Sequence, residues 1–186
     1  MKRLLPLLTC LAAALSLSIP AVWSGQSATS DSQHTGTAVI YLVRHAEKAA
    51  GGGKDPELTE AGLQRARELA RTLADAGIDA IHSTDLKRTR QTATPLAERL
   101  GRGIRLYDWD QMEALAADLK RAGGRHLVVG HSDTTPELVG LLGGEPGPDM
   151  DEATEYDRLY VVTVGPDGSV STVMLRYGVG PTSVGK

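Results

Sequence analysis

An apolar run from Ala38 to Val43 that stops abruptly at Arg44-His45 constrains this chain more than any other feature. Val39, Ile40, Leu42 and Val43 within so short a stretch describe a strand buried on both faces, as in sheets covered by helices on each side. Polar Glu47-Lys48 and Gly51-Gly52-Gly53 follow, so the strand delivers a guanidinium and an imidazole to its carboxyl end. In open α/β sheets ligands bind just beyond those ends. An arginine and a histidine placed there can grip an anion and attack it.

The rest of the chain alternates in the same way. Thr59 reads as the N-cap of a helix running to about Ala76, with Leu63, Ala66, Leu69, Ala70 and Leu73 on one face and Gly77 at its end. A short strand over 78–82 leads to Ser83-Thr84-Asp85, which should cap a second helix from about Leu86 to Leu100. That helix carries Leu86, Ala93, Leu96, Ala97 and Leu100 inward, and Pro95 should kink or interrupt it. A third strand over 104–107, a helix over 110–122, a buried strand over 126–129 and a helix over 134–142 come next. Two strands flanking Gly165-Pro166-Asp167-Gly168 close the chain as a hairpin. Strands alternating with helices predict an α/β fold, a three-layer α/β/α sandwich whose sheet is mostly parallel but mixed because of the hairpin.

The 186 residues suit one domain. The N-terminus reads as a secretory signal peptide over 1–25, with Lys2 and Arg3 before a mostly apolar stretch and small residues at Ser24 and Gly25. A polar linker over 26–37 should be disordered, with His34 a solvated residue within it. The domain then spans 38–180. This pattern predicts an exported protein, periplasmic or secreted, without stable membrane insertion once the signal is removed. Cys10, the one cysteine, lies inside the signal, so the mature chain has no disulfide, thiol nucleophile or cysteine metal site. A net charge of −3 provides no general field for polyanions, and 4% aromatic residues argue against a stacking surface for nucleic acid.

Three segments put polar residues where a strand or loop ends: Arg44-His45, the stretch from Ser83 to Gln91 with Arg88 and Arg90, and Gly130-His131-Ser132-Asp133. Two histidines with several arginines make a poor metal site, because guanidinium repels a cation. The same set suits a tetrahedral oxyanion, whose oxygens match the planar fork of arginine donors. Neutral imidazole is a nucleophile toward phosphorus. His82 and His126 are expected to be structural residues flanking strands.

Four segments, taken in order, resemble the histidine phosphatase superfamily, which includes the cofactor-dependent phosphoglycerate mutases and acid phosphatases. They are R-H-A-E at 44–47, D-P-E-L-T-E-A-G at 55–62, T-D-L-K-R-T-R-Q-T-A at 84–93 and V-V-G-H-S at 128–132. The resemblance covers about 38–176 and implies a phosphoglycerate mutase-like fold. It implies His45 as the nucleophile that becomes a phosphohistidine. It gives Arg44, Arg88 and His131 the phosphoryl oxygens and the charge of the transition state. It implies no metal or cofactor, a small phosphorylated substrate and no nucleic-acid partner. Oligomeric state is not specified by any of these features.

The family also needs a proton donor for the leaving oxygen. In mutase-like members this is a Glu in a long insertion, and here the corresponding stretch, 107–113, is short. Asp108 is the leading candidate, with Glu113 next. Asp133 stands one position beyond where the acid phosphatase branch places its acid. Hydrolysis is the expected reaction, since a short insertion leaves little lid to retain a product. The alternatives are a phosphate- or phosphoglycan-binding module with weak turnover, or a phosphotransferase. Rim residues should come from the loops 48–56 and 143–156.

Overall fold

A computed structural model describes residues 36–51 and 53–178. The signal peptide, nearly all of the linker and the last residues of the predicted domain lie outside the described residues. The elements are β1 (Ala38–Arg44), α1 (Glu60–Thr72), β2 (Ala80–Ser83), α2 (Lys87–Leu100), β3 (Ile104–Leu106), a 3-10 turn (Trp109–Gln111), α3 (Met112–Ala122), β4 (Gly124–Gly130), α4 (Thr134–Leu141), β5 (Arg158–Val164) and β6 (Val170–Arg176).

The six strands form one sheet in the order β3-β2-β4-β1-β5-β6. β3, β2, β4 and β1 run parallel, while β5 and β6 are antiparallel to their neighbours. This is the expected mixed sheet. Alternation along β1 divides the core, as the pleat requires. Ile40 and Leu42 pack with Met112, Leu119, Leu138 and Val139 of α3 and α4. Val43 packs on the opposite face with Leu69 of α1 and Ala93 and Leu96 of α2. β1 is therefore covered on both sides, which is why its sequence reads as an uninterrupted apolar run.

Several boundaries differ from the sequence reading. α1 ends at Thr72, with Leu73 as its C-cap; a turn then leads to Gly77, whose φ of +68° fits glycine. α2 continues through Pro95 without a break. Ala93, Leu96 and Ala97 are buried on either side of the proline, and that packing outweighs the missing backbone bond. Ser83 and Thr84 do not cap α2. Its N-cap is Leu86, which offers no side-chain acceptor, and the Lys87 amide donates instead to Asp55 Oδ1 at 2.9 Å.

That substitution explains the second motif. The loop between β1 and α1 is stitched to α2 by Asp55 and by Leu58 N, which donates to Gln91 Oε1 at 2.8 Å. It is held to α1 by Thr59, which accepts from Gly62 N at 3.1 Å. Gly62 itself sits against the Glu47 backbone. A Cβ there would lie 2.3 Å from the Glu47 carbonyl oxygen and 3.1 Å from Leu58 Cβ. Gly62→Ala should therefore lower stability by about 1–3 kcal/mol, the range for overpacking, although alanine favours helices. Urea unfolding beside Gln64→Ala checks this, and an unchanged midpoint in Gly62→Ala would show that the contact carries no strain.

Candidate active site

β1 and β4 are far apart in sequence but adjacent and parallel, with Arg44 paired to Gly130. The His45 amide donates to Gly130 O at 2.9 Å, continuing the ladder one residue past the strand. This register brings the two histidines together, with ring centroids 5.5 Å apart. His45, His131 and Arg88 line one cavity of about 280 Å³. Lys48, Leu86, Trp109, Asp133 and Glu152 complete most of its wall.

The His45 ring is almost wholly buried, and its Nδ1 lies 2.7 Å from Ala46 O. A carbonyl can only accept, so Nδ1 carries the proton and Nε2 is left with its lone pair. Burial pushes the imidazole down to about 3, and the nearby Arg44, His131 and Arg88 push the same way against the Ala46 bond. The ring is neutral at ordinary pH. Ala46 is itself fixed, its amide donating to Thr92 Oγ1 at 2.9 Å, and the Thr92 hydroxyl donates to Arg88 O at 2.8 Å.

His131 Nε2 lies 3.1 Å from Thr84 Oγ1. The Thr84 hydroxyl donates to Thr89 Oγ1, and the Thr89 hydroxyl donates to the carbonyls of Thr84 and Leu86. With its own proton committed, Thr84 accepts from His131 Nε2–H. Burial, and then Arg88, push the His131 ring down to about 4. Thr84 and Thr89 are fully buried polar residues. In the sequence Thr84 looks like a helix cap, and nothing there shows that Thr84 and Thr89 set a tautomer.

Arg88 is mostly buried, with Nη1 3.9 Å from Asp55 Oδ1, and its Nε is closed to solvent without a partner. Its guanidinium is thus only loosely engaged beside the two imidazoles. Arg44 is different. It is 1% exposed and is absent from the cavity wall. Its Nη1 donates to Asp151 O and Glu155 O at 3.2 and 3.0 Å, and its Nη2 donates to Glu152 O at 2.7 Å. The Tyr156 ring lies over the guanidinium, 4.1 Å from centroid to the central carbon. Expected as an oxyanion ligand, Arg44 is engaged by the 151–156 loop, which it ties to β1, leaving only Nε unpartnered. A buried cation needs acceptors, and these carbonyls supply them.

The same loop is held from its other side. Arg158, also buried, donates from Nε and Nη2 to the Glu155 carboxylate at 2.7 and 2.6 Å, and from Nη1 to Pro148 O at 2.6 Å. Arg176 Nη2 reaches Glu155 Oε1 at 2.7 Å. These bonds, the Arg158 contact first, hold the Glu155 carboxyl down at about 2. The loop brings Glu152 to the cavity rim, 3.5 Å from Lys48 Nζ. Glu47 also has a fixed partner: Arg65 grips its carboxylate through Nε and Nη2 at 2.7–3.0 Å.

Asp108 does not join this site. Its carboxylate caps the 3-10 turn, accepting from Asp110 N at 3.1 Å, and its side chain lines a separate cavity. The 3-10 turn that follows β3 points its neighbour Trp109 to the cavity of His45 and His131 instead, its ring 6.1 Å from that of His131. Glu113, on exposed helix surface, is also absent from the wall. The carboxylates that do line it are Asp133, which accepts from Thr134 N at 2.8 Å, and Glu152. Among the described residues no group of three or more His, Cys, Asp and Glu side chains is placed to hold a metal.

The buried neutral imidazoles carry a stability prediction. His45, His131 and His82 take protons near pH 6.5 in the unfolded chain, but only at about 3–4 when folded. Between those values the unfolded state binds more protons, so their contribution is intact above pH 6.5 and is lost as pH falls. The expected slope is at most about 1.4 kcal/mol per pH unit for each histidine. Urea midpoints from pH 7 to 4.5 measure it, and a flat profile over that span would contradict the burial described.

A family model described as Histidine phosphatase superfamily (branch 1) matches residues 40–117. A Yersinia pestis protein named "Probable phosphoglycerate mutase GpmB" is 40% identical over 68 residues, 33% of this chain. That match spans about a third (32%) of the relative's length. Among solved structures, the protein histidine phosphatase SixA complexed with tungstate superposes with a TM-score of 0.60 at 19% identity, covering 74% of this chain and 96% of that one. The alpha-ribazole phosphatase from Shigella flexneri superposes at 0.59 with 16% identity, covering 76% and 98%. At these identities the structural likeness establishes the fold. Residues 40–117 thus match the model of the histidine phosphatase superfamily, and the chain shares its α/β/α fold with solved phosphatases.

Proposed function

We propose that this protein is an exported phosphatase that uses no metal and hydrolyses a phosphomonoester or phosphoramidate through a phosphohistidine on His45. One observation carries the reading: a neutral imidazole with Nδ1–H held by Ala46 O stands beside Arg88 and His131 in one cavity. Nε2 attacks phosphorus, the bond to the leaving oxygen or nitrogen breaks, and the phosphoryl group passes to His45. Arg88 and His131 face its non-bridging oxygens, where fixed donors lower the barrier most. The incoming dianion raises the His131 pKa and lets that ring take a second proton. Water then attacks the phosphohistidine, releasing inorganic phosphate and restoring neutral His45. A divalent cation in the same cavity would face Arg88 and Lys48, so the donor set favours none. The export assignment rests on the Lys2-Arg3 and apolar pattern of the N-terminus.

The leaving group belongs to a class that needs little protonation. Asp133 is engaged as an acceptor by Thr134 N, Glu152 faces Lys48, and Asp108 lies elsewhere. A dry carboxylic acid poised for donation is missing from the wall. Phosphoramidate and p-nitrophenyl phosphate should therefore turn over at least about a hundredfold faster than glycerol 3-phosphate, the scale of a general acid's contribution. Steady-state kinetics on the three compounds test this. Equal rates would require a proton donor, and Asp133→Asn and Glu152→Gln would then identify it. Asp108→Asn should leave all three rates unchanged.

A further inference from the structure

A second cavity, about 450 Å³, lies between α3 and the β3 edge of the sheet, and the mechanism makes no use of it. We infer that it is a binding site for a small carboxylic acid with a hydroxyl beside the carboxylate and an apolar body.

Its polar groups are specific. His82 of β2 and Arg105 of β3 are paired in the parallel register, so both project from the same face of the sheet into this cavity. The Arg105 side chain has no hydrogen bond or ion pair among the described residues, and its charge opposes protonation of His82. The two carboxylates of the same wall are engaged elsewhere, Asp118 by Arg121 and Asp108 by Asp110 N, so the Arg105 guanidinium, in no ion pair, is suited to an incoming carboxylate, which it can hold by two parallel bonds.

His82 supplies the second requirement. His126 Nε2 donates to Gly123 O at 2.7 Å, which leaves His126 Nδ1 as an acceptor. His82 Nε2 stands 3.2 Å from that atom and must donate to it. The His82 Nδ1 lone pair therefore remains, with no partner among the described residues. Desolvation keeps this ring neutral by pushing its pKa down to about 4, so the lone pair persists at ordinary pH. A ligand meeting both side chains presents an anion to Arg105 and an O–H to His82, which is the arrangement of a 2-hydroxy acid. Leu115 and Leu119 of α3 supply an apolar wall for its body. The volume falls within the range of small-molecule sites.

The two cavities share one loop. Tyr107 and Asp108 line the second cavity, while Trp109 lines the catalytic one and its ring lies 6.1 Å from His131. Trp109 and Trp23 are the two tryptophans of the chain, so Trp109 can report occupancy once Trp23 is silent.

The test uses the full chain carrying Trp23→Phe, titrated with mandelate, and reads both Trp109 emission and heat. Saturable binding is expected. Phenylacetate, which lacks the hydroxyl, and mandelamide, which lacks the charge, should each bind about tenfold more weakly or worse, the scale of one lost charge-assisted or buried hydrogen bond. Arg105→Gln and Ala114→Phe, both at exposed positions, should weaken mandelate by at least a similar factor and leave p-nitrophenyl phosphate turnover intact. His45→Ala and saturating inorganic phosphate should leave mandelate binding unchanged. No heat and no emission change would overturn the inference. So would equal affinity in Arg105→Gln, or displacement by phosphate, which would place the acid in the catalytic cavity instead.

Discussion

Replacing His45 by alanine is expected to abolish phosphate release from p-nitrophenyl phosphate, lowering kcat/KM by at least about a thousandfold. The wild-type rate should be unchanged by a chelator. The loss follows from the lone pair that His45 presents on Nε2, set by the Nδ1–H bond to Ala46 O; His131 keeps Nε2–H on Thr84 and takes a proton on Nδ1 as the dianion arrives, which leaves it a donor. The fold should survive, because the His45 contact that extends the sheet is its backbone amide to Gly130 O. A circular dichroism melt beside the assay separates the two effects. Full activity in His45→Ala would remove the nucleophile from the mechanism.

Arg44→Met should be nearly as damaging, for a different reason. The change deletes three hydrogen bonds from one guanidinium to the carbonyls of Asp151, Glu152 and Glu155. It also removes the cation under the Tyr156 ring. Leaving carbonyls unpaired in a partly buried loop costs roughly 1–3 kcal/mol each at the upper bound, so a total of about 3–5 kcal/mol is expected. Activity should fall about a hundredfold as the 151–156 loop releases the rim. Arg44→Lys tests the geometry separately, since one ammonium on a shorter reach cannot serve three carbonyls that a planar fork spans. Recovery of stability by lysine would show that charge alone holds the loop. Stability losses without any change in kcat or KM would show that the loop is irrelevant to turnover.

Much of this was legible in the sequence because the informative signals were local. An apolar run ending at Arg44-His45, and a second ending at Gly130-His131, announce two buried strands with chemistry at their carboxyl ends. The α/β sandwich, the hairpin and the Thr59 cap follow from periodicity and turn residues, and the structure contains each of them. What escaped was side-chain traffic between distant segments. Arg44 looks like an oxyanion ligand because it adjoins His45, yet its partners lie more than a hundred residues away in the 151–155 loop. Asp108 looks well placed at the end of a strand, but the 3-10 turn that follows directs Trp109 into the cavity of His45 and His131 and Asp108 out of it. Thr84 reads as a helix cap, and Thr89 and Thr92 carry no assigned role, while the hydroxyls of all three serve His131 and Ala46. Hydroxyl networks leave no periodic trace, so sequence pattern cannot assign them.

The central claim is that phosphorus is transferred to His45. Full-length protein mixed with radiolabelled phosphoramidate and quenched in alkali within the first turnovers tests it directly. The expected result is a phosphoenzyme that survives base, is lost in acid and maps to the peptide containing His45, with none formed in His45→Ala. Efficient phosphate release with no trapped label on His45, or label on His131 instead, would contradict the account.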